Sequence, residues 1–247
     1  IQICALIKMS LADWRGVKQL TDEIAQAKYR SDQMIKLLES VVYISSYNPL
    51  ISASESFDYF KLWGIHAKKY VSSLREYQDN LSFKRISPSD VLVVGFLSPD
   101  FRAHTSINAF MPLFEYLNKK NVRIVAFSNN EHDDEYTRKM KPFFSEWYDI
   151  RRLSDNAVIS LIKRKKLDIL IDACNHMKGT RIHLLASRMA PIQCTWLGSA
   201  WTSGLDGVDY VITSKDMAAD ELLGLYTEKL VRINGPFIPW KRDIIPQ

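Results

Sequence analysis

The chain has 247 residues, 47% hydrophobic and 25% charged, the composition of an ordinary globular protein, so intrinsic disorder is not the starting expectation. Its net charge of +5, from 33 Lys and Arg against 28 Asp and Glu, suits an anionic ligand but is too small to indicate nucleic acid. No apolar run approaches the roughly 20 residues a membrane span requires, the start lacks signal-peptide organisation, and Cys4, Cys174 and Cys194 show no metal spacing and cannot all pair, which points to a reducing, cytoplasmic compartment.

Residues 1–80 read as helices. Leu6, Trp14, Val17, Leu20 and Ile24 share one helical face behind Asp13, and Met34, Leu37, Leu38, Val41 and Val42 form a second stripe that ends near Asn48-Pro49. Ser54 and Glu55 precede Phe57, Phe60 and Trp63, a third helix running to about Tyr70. Such helices suggest the last units of a repeat array, although a segment this short cannot establish a period. Residues 81–90 complete a polar, Pro88-containing linker that begins near Gln78 and marks a domain boundary. The chain begins without Met and ends in a proline-rich stretch, Gly235 to Gln247, so both ends are expected to continue in a longer protein.

From residue 91 to 240 the texture becomes βαβ. Val91 to Leu97 is a continuous apolar run, as expected of a strand buried on both faces. A helix over 105–118, a strand over 122–127, a helix over 135–144 and a short strand over 147–150 follow. Then come a helix over 154–165 capped by Ser154 or Asp155, a strand over 167–172, a short helix over 181–187, and strands over 192–196 and 210–213. A helix over 217–226 and a strand over 229–233 close the series. Alternating strands and helices predict a Rossmann-like, doubly wound parallel sheet. The basic run Lys163 to Lys166 ends a predicted helix, where cations suit the dipole, and is read as a solvated helix end.

In such sheets ligands bind beyond the carboxyl ends of the strands, and three of these ends are polar. The first carries Ser98-Pro99-Asp100-Phe101-Arg102-Ala103-His104, in which Asp100 or Ser98 can cap the turn. His104 stands near a helix N-terminus, where a neutral imidazole is favoured. It is equally readable as a helix-end residue satisfied by backbone. The second runs from Asp172 to Arg181 with six polar side chains in ten. Asp172 is a candidate to orient His104 or His176, or to assist deprotonation of an acceptor hydroxyl; capping the next turn fits as well. Lys178 and Arg181 are candidate phosphate contacts or solvated cations. The third is the loop Ser199 to Gly207 after Gly198. His66, His132 and His183 have no comparable context. There is no GxGxxG, P-loop, HExxH or GxSxG, so dinucleotide, NTPase, zinc-protease and hydrolase chemistries lose their usual signatures.

Phe96 to His104 resembles the first-strand motif of the protein O-GlcNAc transferase and SPINDLY group of glycosyltransferases. Asp172 to Arg181, Ala190 to Gly204, Asp209 to Ile212 and Glu228-Lys229-Leu230 are similar to further segments of that family. The resemblance, spanning about Ser46 to Pro239, implies the N-terminal half of a GT-B fold preceded by tetratricopeptide-type helices, with the donor-binding C-terminal half absent. It implies catalytic roles for His104 and Asp172, and substrate contacts for Asn175, His176, Lys178, Gly198, Thr202, Ser203 and Gly204. The implied reaction is inverting and metal-independent: transfer of N-acetylglucosamine from UDP-GlcNAc to Ser or Thr hydroxyls of a protein, with partners limited to donor, acceptor and the C-terminal half. Alternatives within the resemblance are a GDP-fucose-using or asparagine-modifying relative, and outside catalysis a protein-binding scaffold. Where the family often has Pro and a second His after the first-strand histidine, this chain has Thr105 and Asn108.

Overall fold

The computed structural model describes residues 13–75, 91–117 and 121–238. Cys4, Leu6 and the linker 81–90 lie outside the described residues. Three helices come first: α1 (Trp14–Gln26), α2 (Ser31–Ser45) and α3 (Ala53–Ser72). Asp13 caps α1, its carboxylate accepting the Gly16 N–H at 2.9 Å. The third helix starts from Ser52 rather than Ser54. The Ser52 hydroxyl accepts the Glu55 N–H at 3.2 Å while the Glu55 carboxylate accepts the Ser52 N–H at 2.9 Å, a reciprocal capping box. Phe60, Trp63, Gly64, Ala67 and Val71, spaced by three or four residues, form the buried stripe of α3.

The remainder is a seven-stranded parallel sheet in the order β3-β2-β1-β4-β5-β6-β7. Its strands are β1 (Leu92–Ser98), β2 (Val122–Ser128), β3 (Glu146–Asp149), β4 (Ile169–Asp172), β5 (Ile192–Thr195), β6 (Tyr210–Ser214) and β7 (Lys229–Ile233). The helices between them are α4 (Ile107–Tyr116), α5 (Glu135–Met140) and α6 (Asp155–Arg164). The winding reverses between β1 and β4, whose register pairs Leu97 with Asp172. The crevice expected at such a reversal therefore lies directly above these two residues.

Some expected helices are shorter or tighter than the sequence suggested. The helix expected over 135–144 stops at Met140 and gives a 3₁₀ turn, Lys141–Phe143, because Pro142 has no N–H to continue the ladder. Residues Ile182–Ala186 and Asp220–Leu225 are 3₁₀ turns where α-helices were expected.

Two apolar clusters sandwich the sheet. On one face Leu97, Val125, Phe127 and Leu170 meet α6, the 182–186 turn, and Trp63, Ala67 and Val71 of α3 in one continuous cluster. Helical segment and sheet thus share a core, with α3 seated directly on the α/β unit. On the other face Phe96, Ile124 and Ala126 meet Phe101, Phe110, Phe114, Met140 and Trp196.

Candidate functional site

The loop after β1 is held at nearly every residue. The Ser98 hydroxyl accepts the Asp100 N–H at 3.1 Å. The Asn130 amide grips Phe101 from both sides, accepting its N–H at 3.0 Å and donating to its carbonyl at 2.8 Å. The Asp134 carboxylate accepts the Ala103 N–H at 2.6 Å. His104 therefore projects from a fixed turn, its side chain 36% exposed. Its Nδ1 lies 2.9 Å from the Ser106 hydroxyl, 3.3 Å from the Ser106 N–H and 3.6 Å from Asp100 Oδ2. Asp100 is almost fully buried, with the Arg102 guanidinium 3.5 Å from its other oxygen. Burial pushes the Asp100 carboxyl up, while His104 and Arg102 draw it back down.

Asp172 ends β4 without exposed surface. Its Oδ2 accepts the N–H of Asn175 at 2.6 Å and of Cys174 at 3.3 Å, which is turn capping, while Oδ1 has no partner. Burial pushes this carboxyl up to about 7, against the pull of the two N–H donors and with a further push from the Asp100 charge. Asp100 thus couples electrostatically to both His104 and Asp172, and the three groups share one rim.

Asn175, at φ +50°, faces the next loop and donates from Nδ2 to the carbonyls of Ser199 at 3.2 Å and Trp201 at 2.9 Å. Gly198 makes that approach possible. A Cβ there would stand 1.8 Å from the Cys174 carbonyl oxygen, and the backbone at φ +70° favours glycine. His176 Nε2 donates to the Ser203 carbonyl at 2.9 Å, and its ring packs edge-on to Trp63 and Phe60 at 4.4 and 5.0 Å. Burial pushes this imidazole down to about 4, so it is neutral.

Thr202, Ser203 and Gly204 are buried and face inward. Their anchor is Glu228, which accepts the Thr202 hydroxyl at 2.7 Å, the Ser203 N–H at 2.7 Å and the Ser203 hydroxyl. Gly204 touches α3, where a Cβ would lie 2.2 Å from the Phe60 carbonyl oxygen. Lys178 projects into solvent, its side chain 90% exposed, beside Glu131 at 3.1 Å. A cavity of about 580 Å³ opens between α2 and the strand-end loops, lined by Tyr43, Tyr47, His176, Met177, Ser199 and Trp201.

The structure therefore brings Asp100 to both His104 and Asp172, sets Asn175 and Gly198 beside Asp172, and places His176 and the 202–204 turn deeper, at the seam with α3. Two contributors escaped sequence reasoning. Asp100 was read as a cap, although its i,i+4 spacing from His104 is a usable signal. Glu228 lies 25 residues from Ser203, and its place in the family-like Glu228-Lys229-Leu230 segment does not say which loop it anchors. Among the described residues no group of three or more His, Cys, Asp or Glu side chains is placed to hold a metal ion, and no helix is long and apolar enough to cross a membrane.

A parallel sheet that reverses its winding at β1 and β4, with helices before it and a polar rim above the reversal, defines an α/β fold of the GT-B type. The profile of Glycosyl transferase family 41 matches residues 68–244, and the chain belongs to that family. It is 31% identical over 191 residues to the probable UDP-N-acetylglucosamine–peptide N-acetylglucosaminyltransferase SPINDLY of Oryza sativa subsp. japonica, covering 74% of this chain and 20% of that protein. It is 25% identical over 187 residues to the probable UDP-N-acetylglucosamine–peptide N-acetylglucosaminyltransferase SEC of Arabidopsis thaliana, covering 75% and 19%. A solved structure of a mutant O-GlcNAc transferase from Thermobaculum terrenum superposes with a TM-score of 0.71 at 24% identity, covering 85% of this chain and 42% of that one. The chain spans about a fifth of the length of the curated relatives it matches.

Proposed function

We propose that this chain forms the acceptor-side half of a cytoplasmic protein glycosyltransferase, transferring N-acetylglucosamine from UDP-GlcNAc to Ser or Thr hydroxyls with inversion. The observation that carries the reading is the rim at the sheet's reversal, where His104 is presented from a fixed turn beside Asp100, whose charge reaches Asp172, in a family 41 chain. In this reading the acceptor hydroxyl approaches His104 and its oxygen attacks the anomeric carbon as the nucleoside diphosphate departs. Cationic groups and helix N-termini of the C-terminal half neutralise the leaving diphosphate without a metal. Asn175 and Gly198 hold the cleft wall, His176 and the 202–204 turn carry it on α3, and Lys178 stands at its solvent edge. Residues 1–80 act as the end of a tetratricopeptide-type array and 81–90 as the joint to the half formed by 91–240.

Transfer of radiolabelled sugar to a protein acceptor tests this. The longer protein containing both halves is expected to transfer sugar and this chain alone to be inactive; robust transfer by this chain alone refutes the division of labour. His104→Ala in the longer protein should lower turnover by about 100-fold or more with an unchanged unfolding midpoint. Undiminished turnover would assign His104 to the scaffold.

A further inference from the structure

A backbone amide has a fixed hydrogen-bonding role, since it can only donate, whereas a ring nitrogen of histidine takes its role from the partner it meets. The Ser106 N–H lies 3.3 Å from Nδ1 of His104, and Nδ1 accepts it. A neutral imidazole holds one proton between its two nitrogens, so a lone pair on Nδ1 puts that proton on Nε2. The other two neighbours of Nδ1 agree. The Ser106 hydroxyl, at 2.9 Å, donates or accepts as its partner requires. Asp100 Oδ2, at 3.6 Å, is beyond hydrogen-bond reach, and burial pushes its carboxyl up, towards the neutral acid, against the pull of His104 and Arg102.

The donating amide belongs to the fold. Ser106 opens α4, where backbone N–H groups have no acceptor inside the helix, and its side chain makes no cap hydrogen bond. The Ile107 N–H donates to the His104 carbonyl at 3.0 Å, which ties the backbone of His104 to the same turn as its ring. Asn130 and Asp134 clamp the loop just before it. Among the described residues Nε2 takes no hydrogen bond, so its N–H is left for a ligand. Such an N–H cannot take a proton from a hydroxyl. It can meet an oxygen on which negative charge gathers, and a donor fixed in advance stabilises that charge without reorganising. In sugar transfer the charge grows on the departing diphosphate, while the acceptor oxygen gives up electron density as its bond forms.

We infer that Ser106 is a positioning residue whose backbone N–H holds the His104 proton on Nε2, and that His104 is a hydrogen-bond donor to the departing diphosphate rather than the base. The inference rests on the proposed transferase reading. The acceptor oxygen bonds to the anomeric carbon, and its proton passes to solvent water. The bond from that carbon to the diphosphate breaks, and its electron pair leaves on the oxygen that the Nε2–H meets. His104 keeps its own proton throughout.

Nitrogen-15 NMR of this chain, at a pH where the ring is neutral, reads the tautomer directly. Nε2–H is expected, and Nδ1–H overturns the inference. Ser106→Ala removes the hydroxyl and keeps the amide, so the tautomer should stay; a flip would give control to the hydroxyl and overturn the role of the backbone. In the longer protein His104→Ala should lower kcat about 100-fold, and His104→Gln, whose amide nitrogen reaches the place of Nε2 and is no base, should regain about tenfold of it. Equal losses at unchanged unfolding midpoints would mark a base and overturn the donor role. UDP binding should weaken about tenfold in His104→Ala and recover in His104→Gln; unchanged binding in His104→Ala overturns the contact with the diphosphate. An Nε2–H ring in a longer protein that transfers no sugar would sink the transferase reading and leave the tautomer standing. An Nδ1–H ring with transfer intact would sink only this inference.

Discussion

At the end of β4, Asp172 and Asn175 each keep a buried oxygen without a partner; at the 202–204 turn the hydroxyls share one carboxylate. The unmet oxygens are Asp172 Oδ1 and Asn175 Oδ1, and the Asp100 charge pushes the Asp172 carboxyl further up. Twenty-five or so residues on, the Thr202 and Ser203 hydroxyls and the Ser203 N–H all converge on the two oxygens of Glu228. Folding stability favours the second arrangement, since an unmet buried polar group costs the full desolvation of that group. The Glu228 cluster at the 202–204 turn is thus closed, whereas unmet buried groups stand both at the reversal of the winding and at the seam with α3, where Trp63 Nε1, His66 Nδ1 and His176 Nδ1 have no partner. For the 202–204 turn this has a direct consequence: it meets a ligand only by giving up bonds to Glu228.

The largest effect should come from breaking the satisfied end. Glu228→Ala strands the Ser203 hydroxyl and N–H in a buried site at roughly 1–3 kcal/mol each and leaves the Thr202 hydroxyl to Thr227 alone, so a loss of about 4 kcal/mol is expected in urea unfolding. A loss under about 1 kcal/mol would mean that water replaces the carboxylate and that the turn is open to solvent. Because Gly204 lies against Phe60 and a Cβ on Gly64 would stand 1.8 Å from the Gly204 carbonyl oxygen, the same variant should loosen α3 from the sheet.

How much of this was readable beforehand follows the same division. Leu92–Ser98 was legible because a buried parallel strand is a continuous apolar run, and it falls within a residue of its expected bounds; the edge strand Lys229–Ile233, with no buried residue, matches its bounds as well. The turns at 182–186 and 220–225 were not, because an apolar turn too short to ladder has the same composition as a helix. His104 and Asp172 were legible as polar residues at strand ends, where the topology alone makes a crevice. Their partners were not. A residue that caps a turn and a residue that faces an imidazole have the same identity in a sequence: Asp172, for which both readings stood, caps, while Asp100, expected as a cap, faces the ring. Thr202-Ser203-Gly204 reads as a ligand loop because hydroxyls and glycine serve a ligand and a buried carboxylate equally well.

Titration sharpens the comparison, since the two ends tilt stability in opposite senses. Asp172 titrates near 7 in the folded chain and near 3.9 unfolded. The folded state holds the proton more tightly, so this stabilisation is full below about pH 4 and is lost as pH rises to about 7, by roughly 4 kcal/mol in all. His176 titrates near 4 folded and near 6.5 unfolded. Here the unfolded chain takes the proton first, so stability is full above about pH 6.5 and falls towards pH 4, by roughly 3 kcal/mol. Between pH 4 and 6.5 the two slopes offset each other in the parent chain. Asp172→Asn should expose the His176 slope, with stability rising with pH, and His176→Asn the Asp172 slope, with stability falling. Urea midpoints measured from pH 4 to 8 check this, and equal slopes in both variants would mean that neither group is sealed from water.

Lys178 should give the smallest effect and the finest division of the rim. It follows the β4 loop by only six residues from Asp172, yet its ammonium stands in solvent beside an exposed Glu131. Exposed pairs of this kind are screened and flexible, so Lys178→Ala should leave the unfolding midpoint unmoved. Any role it has must then be towards a substrate that is absent when stability is measured. In the longer protein a phosphate contact by Lys178 would appear as a raised KM for the nucleotide-sugar donor that is steeper at low ionic strength, with kcat nearly kept. An unchanged donor KM at low salt would make Lys178 a solvated cation and end the site at Asn175.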